Sequence, residues 1–358
     1  MNYAGRVEAA RAALADAECD ALIVSSLVNV RYLTGYAGSN GMAVIAPGGA
    51  TFITDFRYVT AAEPIREFMD VQMAEREAVR YAAENLADLA PDAARVGVEA
   101  ANLTLAAHRV LSENADAELV PTTGIVERLR EVKDAEELDA VRRSAALIAP
   151  VYEELAAEGL EGRRELDVAW RVRELFHERG AEGLSFDTIV ASHERGAMPH
   201  ADPSEATIGS GTLVTIDLGC ILDGYCSDCT RTFATGDPPE ELLEIYEICL
   251  RAQEAAVDAV RPGAGGQDVD GVARDIIADA GYGDNFGHGL GHGVGLDVHE
   301  GPRLGTRSDA TLEPGMVVTV EPGIYLPGQG GVRIEDLVIV TEEGCERLTP
   351  YPKHLTRV

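Results

Sequence analysis

The chain has 358 residues, enough for two domains with separate cores. Its 61 acidic against 30 basic residues give a formal net charge of −31, which excludes a general binder of nucleic acids or anionic membranes, since both need cationic surface. No apolar run approaches the roughly 20 residues of a spanning helix, and no basic segment followed by an apolar block opens the chain, so a soluble protein in the cytoplasm is expected. In chain order, helical apolar spacing over residues 5–17 precedes a buried strand at Asp20–Ser25. Gly41–Ala46 and Ala50–Thr54 read as strands joined by Pro47-Gly48-Gly49, and Asp55 is placed to cap a helix reaching Glu63. The glycine-rich segment 35–41 matches no nucleotide-binding fingerprint and reads as a turn. A helix at Glu77–Leu89, a strand at Arg95–Glu99 and a helix at Leu103–Ser112 complete a small α/β domain spanning residues 1–126.

From residue 127 the pattern turns strongly helical, with Leu138, Val141, Ala145, Ile148 and Tyr152 on one apolar stripe. Asp134 is the expected N-cap, with Glu137 three residues later to close a capping box. Further helices are expected near 164–179, with Trp170 and Leu175 facing the core, and at 239–260 and 267–281. Strands are expected at 184–192, 212–222, 225–234, 316–321, 332–340 and 345–348, making residues 127–358 an α+β domain rich in antiparallel strand. Cys226-Ser-Asp-Cys229 is formally a CxxC, but no second pair accompanies it. Reduced structural thiols are the reading for all six cysteines. Lys133 and Lys353 are the only lysines; this arginine bias fits a GC-rich genome or a salt-adapted proteome.

Five side chains carry the chemistry. Asp223-Gly224 is a hairpin turn that sets Leu222 opposite Tyr225 and therefore Asp217 opposite Thr230. Asp228 is then the same-face diagonal neighbour of Asp217, with Cβ atoms about 7 Å apart. Alone, the pair also reads as two solvated acids on an open sheet face. Glu321 and Glu335 flank a Gly/Pro-rich connection between two strands. His292 lies in the segment 287–295, which is too glycine-rich for a stable helix or strand and lets imidazoles point into a cleft. Four carboxylates and one imidazole suit two hard or borderline divalent ions, whose charge balances the cluster's formal −4 or so. Mn²⁺ is the first expectation, with Co²⁺, Fe²⁺ or Zn²⁺ behind it. The set points to a hydrolase with a two-metal centre.

The segments LREVKDAEELDAVRRSA, SFDTIVAS, MPHADPS, TIDLGC, SDCTRTF, GHGLGHGVGLDVHEGPR, LEPGMVVTVEPGIY and GGVRIEDLVIV run in order through the chain. Together they resemble the pita-bread metallopeptidases, the Xaa-Pro aminopeptidases (aminopeptidase P) and Xaa-Pro dipeptidases (prolidases). The resemblance implies a creatinase-like N-terminal domain over 1–126, a pita-bread catalytic domain over 127–358, a homodimer and a proline-containing peptide substrate. It implies that Asp217 chelates one metal, that Asp228 and Glu335 bridge both, and that His292 and Glu321 bind the other. Glu321 would carry the proton from the attacking water to the leaving amine, while His200 and His299 would hold the carbonyl oxygen. His288 would face the substrate, and Arg333 would orient the site from just behind it or reach the substrate itself. For Arg303, four residues after His299, a substrate carboxylate and an ordinary loop contact are both open. The segment TDFRY resembles aminopeptidase P-like members more, so an aminopeptidase is the first expectation and a dipeptidase the alternative. A metal-free binding module on the same fold is the remote alternative, disfavoured because all five ligand positions hold suitable residues.

Overall fold

The computed structural model describes residues 1–358, which divide into two compact units, Met1–Arg130 and Glu131–Val358. The boundary expected at 126/127 falls inside a helix, Ile125–Glu131. That helix buries Ile125, Val126 and Arg130, and Arg130 Nη1 donates to Asn29 Oδ1 at 2.7 Å within the first unit.

The first unit is built on a six-stranded mixed sheet. Its order is Asp70–Ala74, Gly49–Asp55, Met42–Ala46, Ala21–Val24, Arg95–Glu99, Glu118–Thr122. Two of these strands escaped the sequence pattern. Glu118–Thr122 is an edge strand carrying Pro121, tolerated there because an edge has no ladder bond to lose on its outer side. Asp70–Ala74 is the opposite edge. A helix at Leu27–Thr34 was also missed: its Val, Asn and Thr content is poor in helix formers, and the burial of Val30 and Leu33 decides it. Gly35, at φ +74°, ends that helix in the left-handed region. Asp55 caps no helix. It accepts from Arg57 N at 2.9 Å and closes a turn, and a 3₁₀ segment at Glu63–Glu67 follows.

In the second unit the long apolar stripe is two helices, Ala135–Ala145 and Ile148–Glu158. The capping box forms, with Glu137 N donating to Asp134 Oδ1 at 2.9 Å and Asp134 N to Glu137 Oε2 at 3.0 Å, a feature that stabilises a helix by about 1 kcal/mol. The helix Glu165–Glu178 buries Leu175 but leaves Trp170 63% exposed, so Trp170 is not core. Its indole nitrogen instead donates to Glu174 at 3.1 Å. Helices Ile148–Glu158 and Glu165–Glu178 pack on a three-stranded antiparallel sheet of Ile189–Ser192, Thr212–Leu218 and Cys229–Thr235. Helices Glu240–Ala259 and Gly266–Asp279 cover a second layer, led by the five-stranded sheet containing Gly291–Gly293, Val317–Val320 and Asp336–Val340.

The hairpin register is the expected one: Leu222 pairs with Tyr225 and Asp217 with Thr230. Four expected strands are interrupted. The run 225–234 breaks at Ser227-Asp228, leaving Tyr225–Cys226 and Cys229–Thr235. The run 212–222 breaks at Gly219, where a Cβ would strike the Ser227 carbonyl, and the run 332–340 breaks at Ile334-Glu335. The run 184–192 survives only as Gly183–Leu184 and Ile189–Ser192. The histidine segment, in turn, does contain a strand, Gly291–Gly293. Its glycines let the backbone run against Thr319 and Gly301, whose carbonyls occupy the space a Cβ would need. All six cysteines are free thiols, and all but Cys345 are buried. No helix is long and apolar enough to cross a membrane.

Candidate metal centre

The five donors converge. Asp217 projects from the strand Thr212–Leu218 and Asp228 from the bend just before Cys229–Thr235. Glu335 projects from the break between two strands. Ligand oxygens of these three acids lie within 4.8 Å of one another, and all three residues are buried. His292 Nε2 joins them at 3.6 Å from Asp228 Oδ2 and 3.3 Å from Glu321 Oε1. Glu321 follows the strand Val317–Val320.

Neighbouring groups aim these side chains. Arg333 Nη2 donates to Asp217 Oδ2 at 2.7 Å, the Thr230 hydroxyl to Glu335 Oε2 at 2.8 Å, and the Thr319 hydroxyl to Glu321 Oε1 at 3.1 Å. His292 Nδ1 lies 3.1 Å from the Gly293 carbonyl, so Nδ1 carries the proton and Nε2 turns toward the acids. Two buried oxygens, Asp217 Oδ1 and Glu335 Oε1, have no hydrogen-bond partner. Orphaned acceptors inside an acid cluster are costly unless a cation satisfies them. The donor set therefore fits divalent ions, with one oxygen of Asp217 and of Glu335 held by the protein and the other open.

Electrostatics agree with that reading. Burial, reinforced by the charge of Glu335, pushes the Asp228 carboxyl well above its ordinary range. Burial and the charge of Glu321 do the same to Glu335. Glu321 is the exception: burial would raise it, but the hydrogen bond and charge of His292 hold it down to about 2. Burial opposes protonation of His292, yet its bond to Glu321 raises it on balance. In metal-free protein, then, Asp228 and Glu335 retain protons that the unfolded chain releases above their ordinary values of 3.8 and 4.5. A raised folded value gives stability that is lost as pH climbs, and His292 acts in the same direction. The melting temperature of metal-free protein should fall by several degrees from pH 5 to pH 8, and saturating Mn²⁺ should abolish the slope. Calorimetric scans across that range, with and without Mn²⁺, test this; a flat metal-free profile would count against the protonated pair.

The centre opens into a cavity of about 830 Å³, whose lining includes His200, His288, His299, Arg303 and Arg307. His299 stacks edge-on against His292, with ring centroids 4.5 Å apart, and burial followed by the charge of His292 lowers its pKa. It is a neutral imidazole at neutral pH. Arg303 pairs with His292 across the two strands, and its exposed guanidinium makes no hydrogen bond or ion pair within the chain.

Two expected substrate contacts look different in three dimensions. His288 Nδ1 donates to the Gly289 carbonyl at 2.8 Å, and Nε2 sits 2.9 Å from the Tyr325 hydroxyl, so both ring nitrogens are engaged. Arg333 is 3% exposed and donates to Asp217, Thr230, Tyr325 and the Pro199 carbonyl. It uses four of its five N–H donors on the protein and holds the site rather than the substrate. Sequence reasoning missed Tyr325, Thr230 and Thr319. Tyr325 stands four residues after Glu321 within the quoted EPGIY segment; the two threonines gave no signal, because a hydroxyl's partner depends on which strand lies beside it.

Comparison with known proteins gives two family matches: Metallopeptidase family M24 over residues 139–342, and the Creatinase/Prolidase N-terminal domain over residues 6–132. An uncharacterized peptidase, YqhT, of Bacillus subtilis is 41% identical over 94% of this chain and 95% of its own. A Xaa-Pro dipeptidase of Pyrococcus furiosus is 35% identical, with 94% and 95% of the two chains covered. Among solved structures, a Xaa-Pro dipeptidase from Bacillus anthracis superposes with a TM-score of 0.97 at 40% identity, covering 100% of both chains. An X-Pro aminopeptidase from Thermotoga maritima gives 0.85 at 33% identity, covering 95% and 98%.

Proposed function

Because the chain belongs to metallopeptidase family M24, with a creatinase/prolidase domain ahead of the catalytic one, we propose that it is a Xaa-Pro dipeptidase. The aminopeptidase expected from TDFRY gives way, since the dipeptidases are more similar than the aminopeptidase compared above. TDFRY itself is a turn in the first unit held by Asp55 and Arg57. The cavity is lined by residues between Glu131 and Glu335. The observation that carries the reading is the convergence of five donors beside an unpaired guanidinium. The donors suit a two-metal hydrolase, and Arg303 offers a charge-assisted bond to the free carboxylate that a dipeptide presents one residue beyond the scissile bond.

Asp217, Asp228, His292, Glu321 and Glu335 would hold the ions, with Mn²⁺ supported by four oxygen donors out of five. Divalent ions bound there supply Lewis acidity toward the scissile carbonyl and acidify the attacking water. The chain's own groups do the rest. Glu321 is ionised at neutral pH; its Oε1 is held by Thr319 and His292, leaving Oε2 to take the water's proton and pass it to the prolyl nitrogen. Neutral His299, with His200 beside the Pro199 carbonyl that Arg333 grips, donates to the oxygen that gains charge as the carbonyl becomes tetrahedral. The tertiary amide before proline has no N–H to recognise, so selectivity falls to shape and to the carboxylate clamp. A homodimer in the cytoplasm belongs to this reading on family resemblance.

Purified enzyme loaded with Mn²⁺ should hydrolyse Xaa-Pro dipeptides and leave Xaa-Pro-Yaa peptides nearly untouched. Arg303→Met should raise KM for dipeptides by about 10- to 100-fold, the loss of one hydrogen bond to a charged group. Steady-state kinetics on the two substrate classes decide it. Hydrolysis confined to the longer peptides would restore the aminopeptidase reading.

A further inference from the structure

A second buried polar cluster lies beside the donors without lining the cavity. Asp336, the residue after Glu335, is 1% exposed and accepts from four side chains. Arg231 Nη2 at 2.9 Å and the Thr349 hydroxyl at 3.0 Å bind its Oδ1; Lys353 Nζ at 3.0 Å and Gln253 Nε2 at 3.1 Å bind its Oδ2. Arg231, 2% exposed, also donates through Nη1 to the main-chain carbonyls of Thr230, at 3.0 Å, and of Glu335. It also reaches the Thr349 and Tyr351 carbonyls at 3.0 and 2.8 Å and the Cys229 sulfur at 3.1 Å. Lys353 is anchored again by Gln253 Oε1 at 2.6 Å.

The cluster touches the backbone beside three of the five donors. Arg231 grips the carbonyl of Glu335 itself and that of Thr230, whose hydroxyl aims the Glu335 carboxylate. Asp336 pairs with Val320, immediately before Glu321, and Gln253 Nε2 reaches the Val320 carbonyl at 3.4 Å. Thr230 lies two residues after Asp228, inside the strand Cys229–Thr235 that Asp228 precedes. The hydrogen-bonded ladder alone fixes strand direction, but Glu335 sits at a break between two strands. There the carbonyl has no ladder partner, and it accepts instead from Arg231 and, at 3.4 Å, from the Cys229 thiol. Burying a charge cluster of this kind seldom adds net stability over apolar packing, so its contribution lies in specifying geometry. Arginine's rigid planar fork, with five donors in fixed directions, suits gripping several carbonyls at once, where a lysine ammonium offers three rotating ones.

We propose that Arg231 and Asp336, locked by Lys353 from the C-terminal segment, are positioning residues that set Glu335 and Glu321 at metal-binding separation. This rests on reading the five donors as a metal centre. Full-length protein stripped of metal is titrated with Mn²⁺ by calorimetry for the wild type, Arg231→Lys and Lys353→Met, with circular dichroism as the check on folding. Both variants should bind Mn²⁺ at least tenfold more weakly, with kcat at saturating Mn²⁺ reduced and KM within about twofold. Lys353→Met, which leaves Arg231 in place, decides the matter if Arg231→Lys does not fold. Wild-type Mn²⁺ affinity in a folded variant, with only the melting temperature lowered, would show the cluster to be purely structural and overturn the proposal. A wild-type protein that takes up no Mn²⁺ would overturn the metal-centre reading as well, so the two failures are distinguishable.

Discussion

Glu321→Gln should leave the fold intact and cut turnover by about 10³-fold or more, with KM changed only a few-fold. Glutamine keeps the volume and can still accept from Thr319 through its amide oxygen, now at the position 3.1 Å from that hydroxyl. It has no lone pair basic enough to take a proton from water. Positioned general acid–base groups contribute about 10²–10⁴ in rate, and here one group serves both proton transfers, which places the loss at the upper end. The low value of about 2 for Glu321 implies that the wild-type base is already ionised across the working pH range. An acid limb near neutrality would therefore belong to another group. Stopped assays at saturating dipeptide, with Mn²⁺ content measured on the same samples, separate lost chemistry from lost metal. A variant that retains both its Mn²⁺ and near-normal turnover would remove Glu321 from the proton path.

The second large effect concerns Asp228→Asn, where activity and metal-free stability should move in opposite directions. Asp228 is 4% exposed, with its Oδ2 within 3.6 Å of His292 Nε2 and its carboxyl within reach of Asp217 and Glu335. Removing its charge deletes one donor from the oxygen-rich set, so Mn²⁺ affinity should fall by about 100-fold and hydrolysis to near background. Without metal the same carboxyl is a liability, raised by burial and by the charges of Glu335 and Asp217. The amide imitates the protonated acid. At pH 8, metal-free Asp228→Asn should melt several degrees above metal-free wild type, and the difference should shrink as pH falls and the raised Asp228 carboxyl takes up its proton. Paired melting curves from pH 8 downward test it; a variant less stable than wild type at pH 8 would contradict the idea of a strained, charge-crowded centre.

Much of the site was legible because its signals are local. The Asp223-Gly224 turn dictates a two-residue hairpin, and that alone placed Thr230 opposite Asp217. The glycine spacing around His292 announced a close backbone approach, although it was read as irregular loop when three of those residues pair as a strand. Elements failed where burial overrode propensity, as in the helix Leu27–Thr34, or where amphipathic spacing named the wrong face, as with exposed Trp170.

By itself, then, the polypeptide's order of residues determined the two-part layout, the hairpin register and the five candidate donors. Those follow from turn chemistry, periodicity and residue type, all of which act over a few positions. Only the tertiary structure decided what each donor's neighbours do: that Arg333 spends its donors on Asp217 and Tyr325, that both nitrogens of His288 are occupied, and that Arg303 is left unpaired at the cavity. Hydrogen-bond partners separated by about a hundred residues, such as Thr230 and Glu335 or Arg231 and Asp336, are chosen by which strands the core packs side by side. No local pattern encodes that choice, because a hydroxyl or guanidinium binds whatever acceptor the fold brings within reach.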